Sequence, residues 1–94
     1  MQTKIAVVQH SAGTDVERNL SILEILTTQA VSEGAKIVCW PEAFAYLGRH
    51  EGKIDVLESL PEGGPILQRC QALAKALKVE VLLGGFHEAD PDNA

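Results

Sequence analysis

A glutamate that follows a proline at the end of an apolar run is the residue of this chain best placed to do chemistry. Glu42 comes directly after Trp40-Pro41, and Ala35 to Trp40 is an apolar, strand-like segment. In open α/β sheets, ligands gather beyond the carboxyl ends of the strands. Here those ends are marked by Gln9-His10, by Trp40-Pro41-Glu42 and by Gly85-Phe86-His87-Glu88. Proline restricts the backbone on either side of itself, so Glu42 has a well-fixed starting point. A carboxylate at the rim of an apolar sheet loses hydration, which makes it readier to take up a proton, as a general base must. A solvated loop glutamate is the other reading, and residue types alone leave both open.

The remaining candidates read as structural. Cys39 lies inside the second strand segment and is expected to point to a sheet face instead of the rim. Cys70 falls in the apolar stripe of a helix. Both are expected to be buried and to act as small hydrophobes. Lys36 begins the second strand and belongs at the opposite edge of the sheet from Glu42. His10, His87 and Glu42 would approach one another only if their strands were neighbours. No local ligand spacing supports a metal among them, and neither a metal nor a cofactor is expected. His50, between Arg49 and Glu51, reads as a solvated loop residue. Phe44, Tyr46 and Leu47 fit either a substrate pocket or ordinary loop packing. Gly84-Gly85 ends a strand without the G-x-G-x-x-G spacing of a dinucleotide loop.

The elements that must position Glu42 follow from apolar periodicity. Lys4 to Gln9 is nearly continuous and rich in β-branched residues, the pattern of a strand buried on both faces of a parallel sheet. Thr14 and Glu17 have capping-box spacing and open a helix. Along it Val16, Leu20, Leu23, Leu26 and Ala30 trace one face, which Ile22 and Ile25 widen. Gly34 is placed to end that helix in a left-handed conformation. After the Ala35–Trp40 strand, a short helix is expected near Lys53–Ser59, then a turn at Pro61-Glu62-Gly63-Gly64. Pro65 suits the first position of a further helix whose apolar face is Ile66, Leu67, Cys70, Leu73, Ala74 and Leu77. Val79 to Gly84 is a third strand, and the tail from Glu88 is polar and turn-like. The order βαβ-loop-αβ implies an α/β fold with a three-stranded, mainly parallel sheet. Three strands and two amphipathic helices cannot cover both faces of such a sheet. Residues 1–94 therefore read as the front part of a single, larger domain.

Composition narrows the function classes. The chain is 46% hydrophobic and 22% charged, which suits a folded protein and argues against disorder. Its net charge of -5, with scattered acidic groups, excludes the basic stripe that nucleic acid requires. It also excludes a basic amphipathic membrane surface. Two cysteines outside any disulfide or zinc pattern suit a reducing compartment, and the first residues lack a signal-like apolar region. A cytoplasmic location is expected.

Several segments together resemble the opening of the nitrilase, or carbon–nitrogen hydrolase, superfamily. They are Ile5-Ala6-Val7-Val8-Gln9, Asn19-Leu20, Gly34-Ala35-Lys36-Ile37-Val38-Cys39-Trp40-Pro41-Glu42-Ala43-Phe44 and Leu83-Gly84-Gly85-Phe86-His87-Glu88. Pro41-Glu42-Ala43-Phe44 and Gly84-Gly85-Phe86-His87-Glu88 look most like the Nit branch, the deaminated-glutathione amidases. The Pro-Glu pair alone is a weak signal, whereas the ordered set in its strand–helix–strand frame is specific. The resemblance implies an αββα sandwich that dimerises or assembles further, and a Glu-Lys-Cys constellation acting on a small linear amide without a cofactor. Glu42 matches the family's glutamate, the base that takes a proton from a cysteine thiol. The family's lysine and cysteine lie further along the chain, and no segment here resembles either motif. These 94 residues alone are therefore expected to be inactive.

Two other readings remain at this point. One is a catalytically inert fragment or interaction module of the same fold. The other is a small nucleotide-binding α/β domain, which the missing glycine-rich phosphate loop disfavours.

Overall fold

In a computed structural model, residues 3–48, 57–58 and 63–85 are described. Their elements are β1 (Ile5–Val7), α1 (Val16–Ser32), β2 (Ile37–Trp40), α2 (Pro65–Leu77) and β3 (Glu80–Leu83). The strands form one parallel sheet in the order β1-β2-β3, with β2 in the centre. This is the α/β arrangement expected from the alternation of strands and helices. The short helix expected near 53–59 lies mostly outside the described residues, and its described part, Leu57 and Glu58, is not helical.

Register places the strands rung by rung. Ile5, Ile37 and Glu80 share one rung, then Ala6, Val38 and Val81, then Val7, Cys39 and Leu82. Because strand side chains alternate between faces, every second rung belongs to the same side. Val38 is completely buried, and Ala6 and Val81 pack with it against Leu20 and Leu23 of α1 and Ile66 and Cys70 of α2. Removing side chains such as Val38 and Leu23 from water stabilises the fold by roughly 1.5–3 kcal/mol each.

The opposite face is bare among the described residues. Ile5 is 57%, Val7 75% and Leu82 53% exposed. This corrects the expectation that the first strand is buried on both sides: among the described residues, helices cover one face only. A sheet with helices on one side and apolar residues on the other is half of a sandwich, as the opening part of an αββα fold should be.

Helix ends show which sequence signals were decisive. Asp15, not Thr14, is the N-cap of α1; its Oδ1 accepts from the Arg18 N–H at 3.1 Å. Aspartate is at least as good a cap as threonine, and the one-residue shift removes the expected Thr14–Glu17 box. Glu17 instead pairs with Arg69 of α2, which also engages Glu24 and so ties the two helices together. That hydrogen-bonded arginine holds the Glu17 carboxyl below its usual range. Gly34 is left-handed, with φ of 100°, and ends α1 as expected; the Gly34 and Ala35 N–H groups donate back to Val31 and Ala30. At the end of α2, Lys78 adopts the same left-handed state, with φ of 57°.

The α1 stripe also needs correction. Ile25 is 67% exposed, whereas Asn19 and Thr27 are buried. Polar side chains belong inside only if they are hydrogen-bonded, and both bind the segment that carries Glu42.

Candidate active site

That segment begins with an anchor. The Trp40 indole N–H donates to Thr27 Oγ1 at 2.9 Å, and its ring meets Phe44 edge-on with centroids 5.2 Å apart. Trp40, Thr27 and Phe44 are all buried, so the end of β2 is fixed to α1 by a satisfied polar contact within an apolar cluster. Phe44 then leads into the buried Ala45 and Tyr46, while Leu47 is exposed. Of the residues weighed as pocket lining, Phe44 and Tyr46 thus contribute to packing.

Between Trp40 and Phe44 the chain turns sharply. Ala43 has φ of 55°, a left-handed conformation unusual for a residue with a side chain. Such a position costs on the order of 1 kcal/mol and persists only where the surroundings enforce it. They do so from two directions.

The first is β3. A Cβ on Gly84 would collide with the Trp40 carbonyl oxygen and stand 2.6 Å from the Pro41 carbonyl carbon and 2.8 Å from the Glu42 nitrogen. A Cβ on Gly85 would stand 2.9 Å from Glu42 Cγ and 3.3 Å from the Ala43 nitrogen. The glycine pair therefore lets the end of β3 press directly against the Pro41–Ala43 turn. The second direction is α1. Asn19 Nδ2 donates to the Ala45 carbonyl at 2.8 Å and to the Gly13 carbonyl at 2.9 Å. The Leu47 N–H also donates to Gly13, at 3.0 Å.

Glu42 therefore lies just past the carboxyl end of the central strand, with its Cγ against the end of β3. Its side chain is exposed. The dehydration expected of a rim carboxylate is not supplied by the described residues.

The other candidates lie elsewhere. Lys36 is exposed and immediately precedes β2, at the far end of that strand from Glu42. Cys70 is buried in α2, and burial pushes its thiol up to about 12, so it is protonated at neutral pH and cannot serve as a thiolate nucleophile. Cys39 is only half-buried, on the bare face, because nothing described covers its rung; this corrects the expectation that it is fully buried. Among the described residues, the buried Nε2 of His10 has no hydrogen-bond partner. His50 and His87 lie outside the described residues. Among the described residues no three His, Cys, Asp or Glu side chains are grouped to hold a metal, and no helix is long and apolar enough to cross a membrane.

Thr27 was not singled out in the sequence, and Asn19, Gly84 and Gly85 were noted there without a part in the turn. The signal that could have found the first two is a polar residue interrupting an apolar helical stripe. For the glycines it is a pair placed where a strand reaches the rim, since glycine there marks a close approach of backbones.

Comparison with known proteins places this geometry in context. The carbon-nitrogen hydrolase family model matches residues 4–94. The chain is 33% identical over 88 residues to the deaminated glutathione amidase of Homo sapiens, covering 94% of this chain and 27% of that protein. It is 32% identical over 88 residues to the Dictyostelium discoideum enzyme of the same name, covering 90% and 30%. A Synechocystis deaminated glutathione amidase is 31% identical over 81 residues, covering 86% and 29%. The chain thus spans less than a third of the length of these relatives.

Proposed function

The chain belongs to the carbon–nitrogen hydrolase family, and on that premise we propose that it carries the general-base end of a thiol-dependent amidase. Glu42 accepts the proton of a cysteine thiol supplied by chain beyond these residues. The thiolate attacks the amide carbonyl carbon, and a lysine from the same later chain stabilises the resulting oxyanion. The C–N bond then breaks as Glu42 passes the proton it took to the departing nitrogen, and water cleaves the thioester to release acid and restore the thiol. Glu42 serves again as base when that water attacks.

The observation that carries this reading is the setting of Glu42. It is an exposed carboxylate one turn past the central strand, on a backbone bend braced by β3 on one side and by α1 on the other. An exposed carboxylate on an unbraced loop would cost nothing to hold; a left-handed alanine beside it does. Chain that closes over this rim would supply the dehydration that the described residues do not.

The relatives named deaminated glutathione amidase make a short, linear, peptide-like amide with an acidic end the substrate class of choice. Residues 1–94 are the front of one domain, working in the cytoplasm, where the thiol chemistry stays reduced, and as a homo-oligomer when the domain is whole.

The test is Glu42→Gln in the full chain, with deaminated glutathione as substrate. Turnover should fall by about 10²–10⁴-fold, the usual contribution of a positioned base, with KM little changed. Near-normal turnover would remove Glu42 from the role. An inactive wild-type chain would favour the inert module.

A further inference from the structure

Asn19 offers something that its place on a helix does not require. It is 2% exposed, although asparagine is ordinarily a surface residue. Both Nδ2 protons are used, on the carbonyls of Gly13 and Ala45, and Oδ1 accepts from the Gly13 N–H at 3.1 Å. None of these bonds stabilises α1 itself. They join three separate stretches: the loop after β1, the first turns of α1, and the loop after Glu42. The Gly13 carbonyl takes a further bond from the Leu47 N–H, so the loop is held at Ala45 and again two residues later.

We propose that Asn19 is a positioning residue for Glu42, acting through Ala45. The proposal rests on the reading of Glu42 as the base. Only Ala43 and Phe44 separate Glu42 from the carbonyl that Asn19 holds. Phe44 is completely buried and Ala43 is already in a left-handed bend. With little slack in those two residues, a displacement of Ala45 is passed to the carboxylate. Gly84 and Gly85 close the other side of the same bend, so the turn sits between a backbone wall and a side-chain tether.

The chemistry at position 19 is demanding. Two carbonyl oxygens must receive protons while one N–H finds an acceptor, and a primary amide does both at once. Aspartate has nearly the same shape but no protons to donate, so a carboxylate oxygen would face the Ala45 carbonyl. Serine donates only one proton and has a shorter reach.

The experiment compares wild type, Asn19→Asp, Asn19→Ser, Glu42→Gln and Arg69→Gln in the full chain. Arg69→Gln loosens α1 from α2 without touching the turn and serves as the stability control. Rates are expressed per folded molecule, alongside thermal midpoints and the pH dependence of kcat and kcat/KM. Asn19→Asp should lower kcat roughly 10- to 100-fold, the cost of displacing a catalytic group by about an ångström, and leave KM little changed. The acidic limb of its kcat/KM profile, which reports the base, should move, whereas Arg69→Gln should lower the thermal midpoint and keep both kcat and the limb. If Asn19→Asp does not fold, Asn19→Ser is read by the same criteria.

An active wild type, an inactive Glu42→Gln and a wild-type rate in the Asn19 variants would overturn the Asn19 proposal alone. A fall in kcat shared by Arg69→Gln at equal thermal midpoint would do the same, since the role would then be structural. A fully active Glu42→Gln or an inactive wild type would remove the reading beneath it, and this proposal with it.

Discussion

Gly85 and Glu42 touch across the end of the sheet: a Cβ on the glycine would lie 2.9 Å from Cγ of the glutamate. Gly84, one residue earlier, faces the backbone of the same turn instead, at Trp40, Pro41 and Glu42. The two glycines therefore constrain different things. The first sets where the backbone bends, and the second sets where the carboxylate arm lies.

Alanine substitutions should separate those roles. Gly84→Ala must push β3 away from the turn and should destabilise the fold by roughly 1–3 kcal/mol, the range for overpacking a tight contact. Gly85→Ala meets Glu42 Cγ first and the backbone of Glu42 and Ala43 only at 3.3–3.4 Å, so it should cost less stability yet displace the glutamate. Denaturant midpoints and kcat for both variants in the full chain check this. Equal stability loss with equal kcat would show that the glycines act as one packing surface.

The two cysteines should differ in reactivity for reasons of layering. In the isolated 94-residue chain, diluted until it is monomeric, Cys39 on the bare face should react readily with a thiol reagent, and Cys70 only after unfolding. Burial raises the Cys70 thiol from 9.0 to about 12, so the unfolded chain ionises first. Its contribution to stability is therefore complete below pH 9 and is lost as pH rises toward 12. Stability measured across that window should fall less steeply in Cys70→Ala than in wild type. Two fast-reacting thiols in the native chain would contradict the assignment.

Much of the fold was legible in the sequence because apolar periodicity reports directly on burial. The three strand runs, the two helices and the left-handed Gly34 follow from local pattern. What was not legible depends on partners distant in sequence. Asn19 and Thr27 interrupt the apolar stripe, but which groups they bond is decided only by Ala45 and Trp40, and Ile25 looks like core until the helix face is fixed by those bonds. Thr14 and Asp15 compete for one cap, and one-residue offsets at helix ends are decided by backbone detail. The exposure of Val7 and Cys39 was hidden for another reason: an apolar strand bare on one face reads the same in sequence as one covered on both.

Glu58 is a second carboxylate with a defined task. It is 8% exposed, and its two oxygens accept from the N–H groups of Gly64 at 2.8 Å, Ile66 at 2.7 Å and Leu67 at 2.9 Å, at the start of α2. Gly64 is the N-cap and has no side chain to do this. Glu58→Ala should therefore remove the acceptor from three N–H groups, that of Ile66 buried and the other two half-buried, and cost about 1–3 kcal/mol, with Glu58→Gln intermediate because its amide keeps one acceptor oxygen. Thermal midpoints rank the three chains; a silent Glu58→Ala would mean water replaces the carboxylate at no cost.

The bare face makes the last prediction the most direct probe of architecture. Ile5, Val7 and Leu82 alternate with the covered rungs and form one contiguous apolar surface with the half-buried Ile37 and Cys39. Contiguity is what drives association, because isolated exposed apolar residues are common on soluble proteins. The 94-residue chain alone should therefore self-associate in sedimentation and show no amide hydrolysis. Val7→Lys together with Leu82→Lys should shift it toward monomer. Ile25→Lys, at a comparably exposed site on α1 instead of the sheet, should leave the distribution unchanged. In the full chain the expectation inverts: if a second sheet covers this face, the double lysine variant buries two charges without partners and fails to fold, while Ile25→Lys remains native. A monodisperse wild-type fragment, or a full chain that accepts both lysines, would mean that this face is not an interior surface of the complete domain.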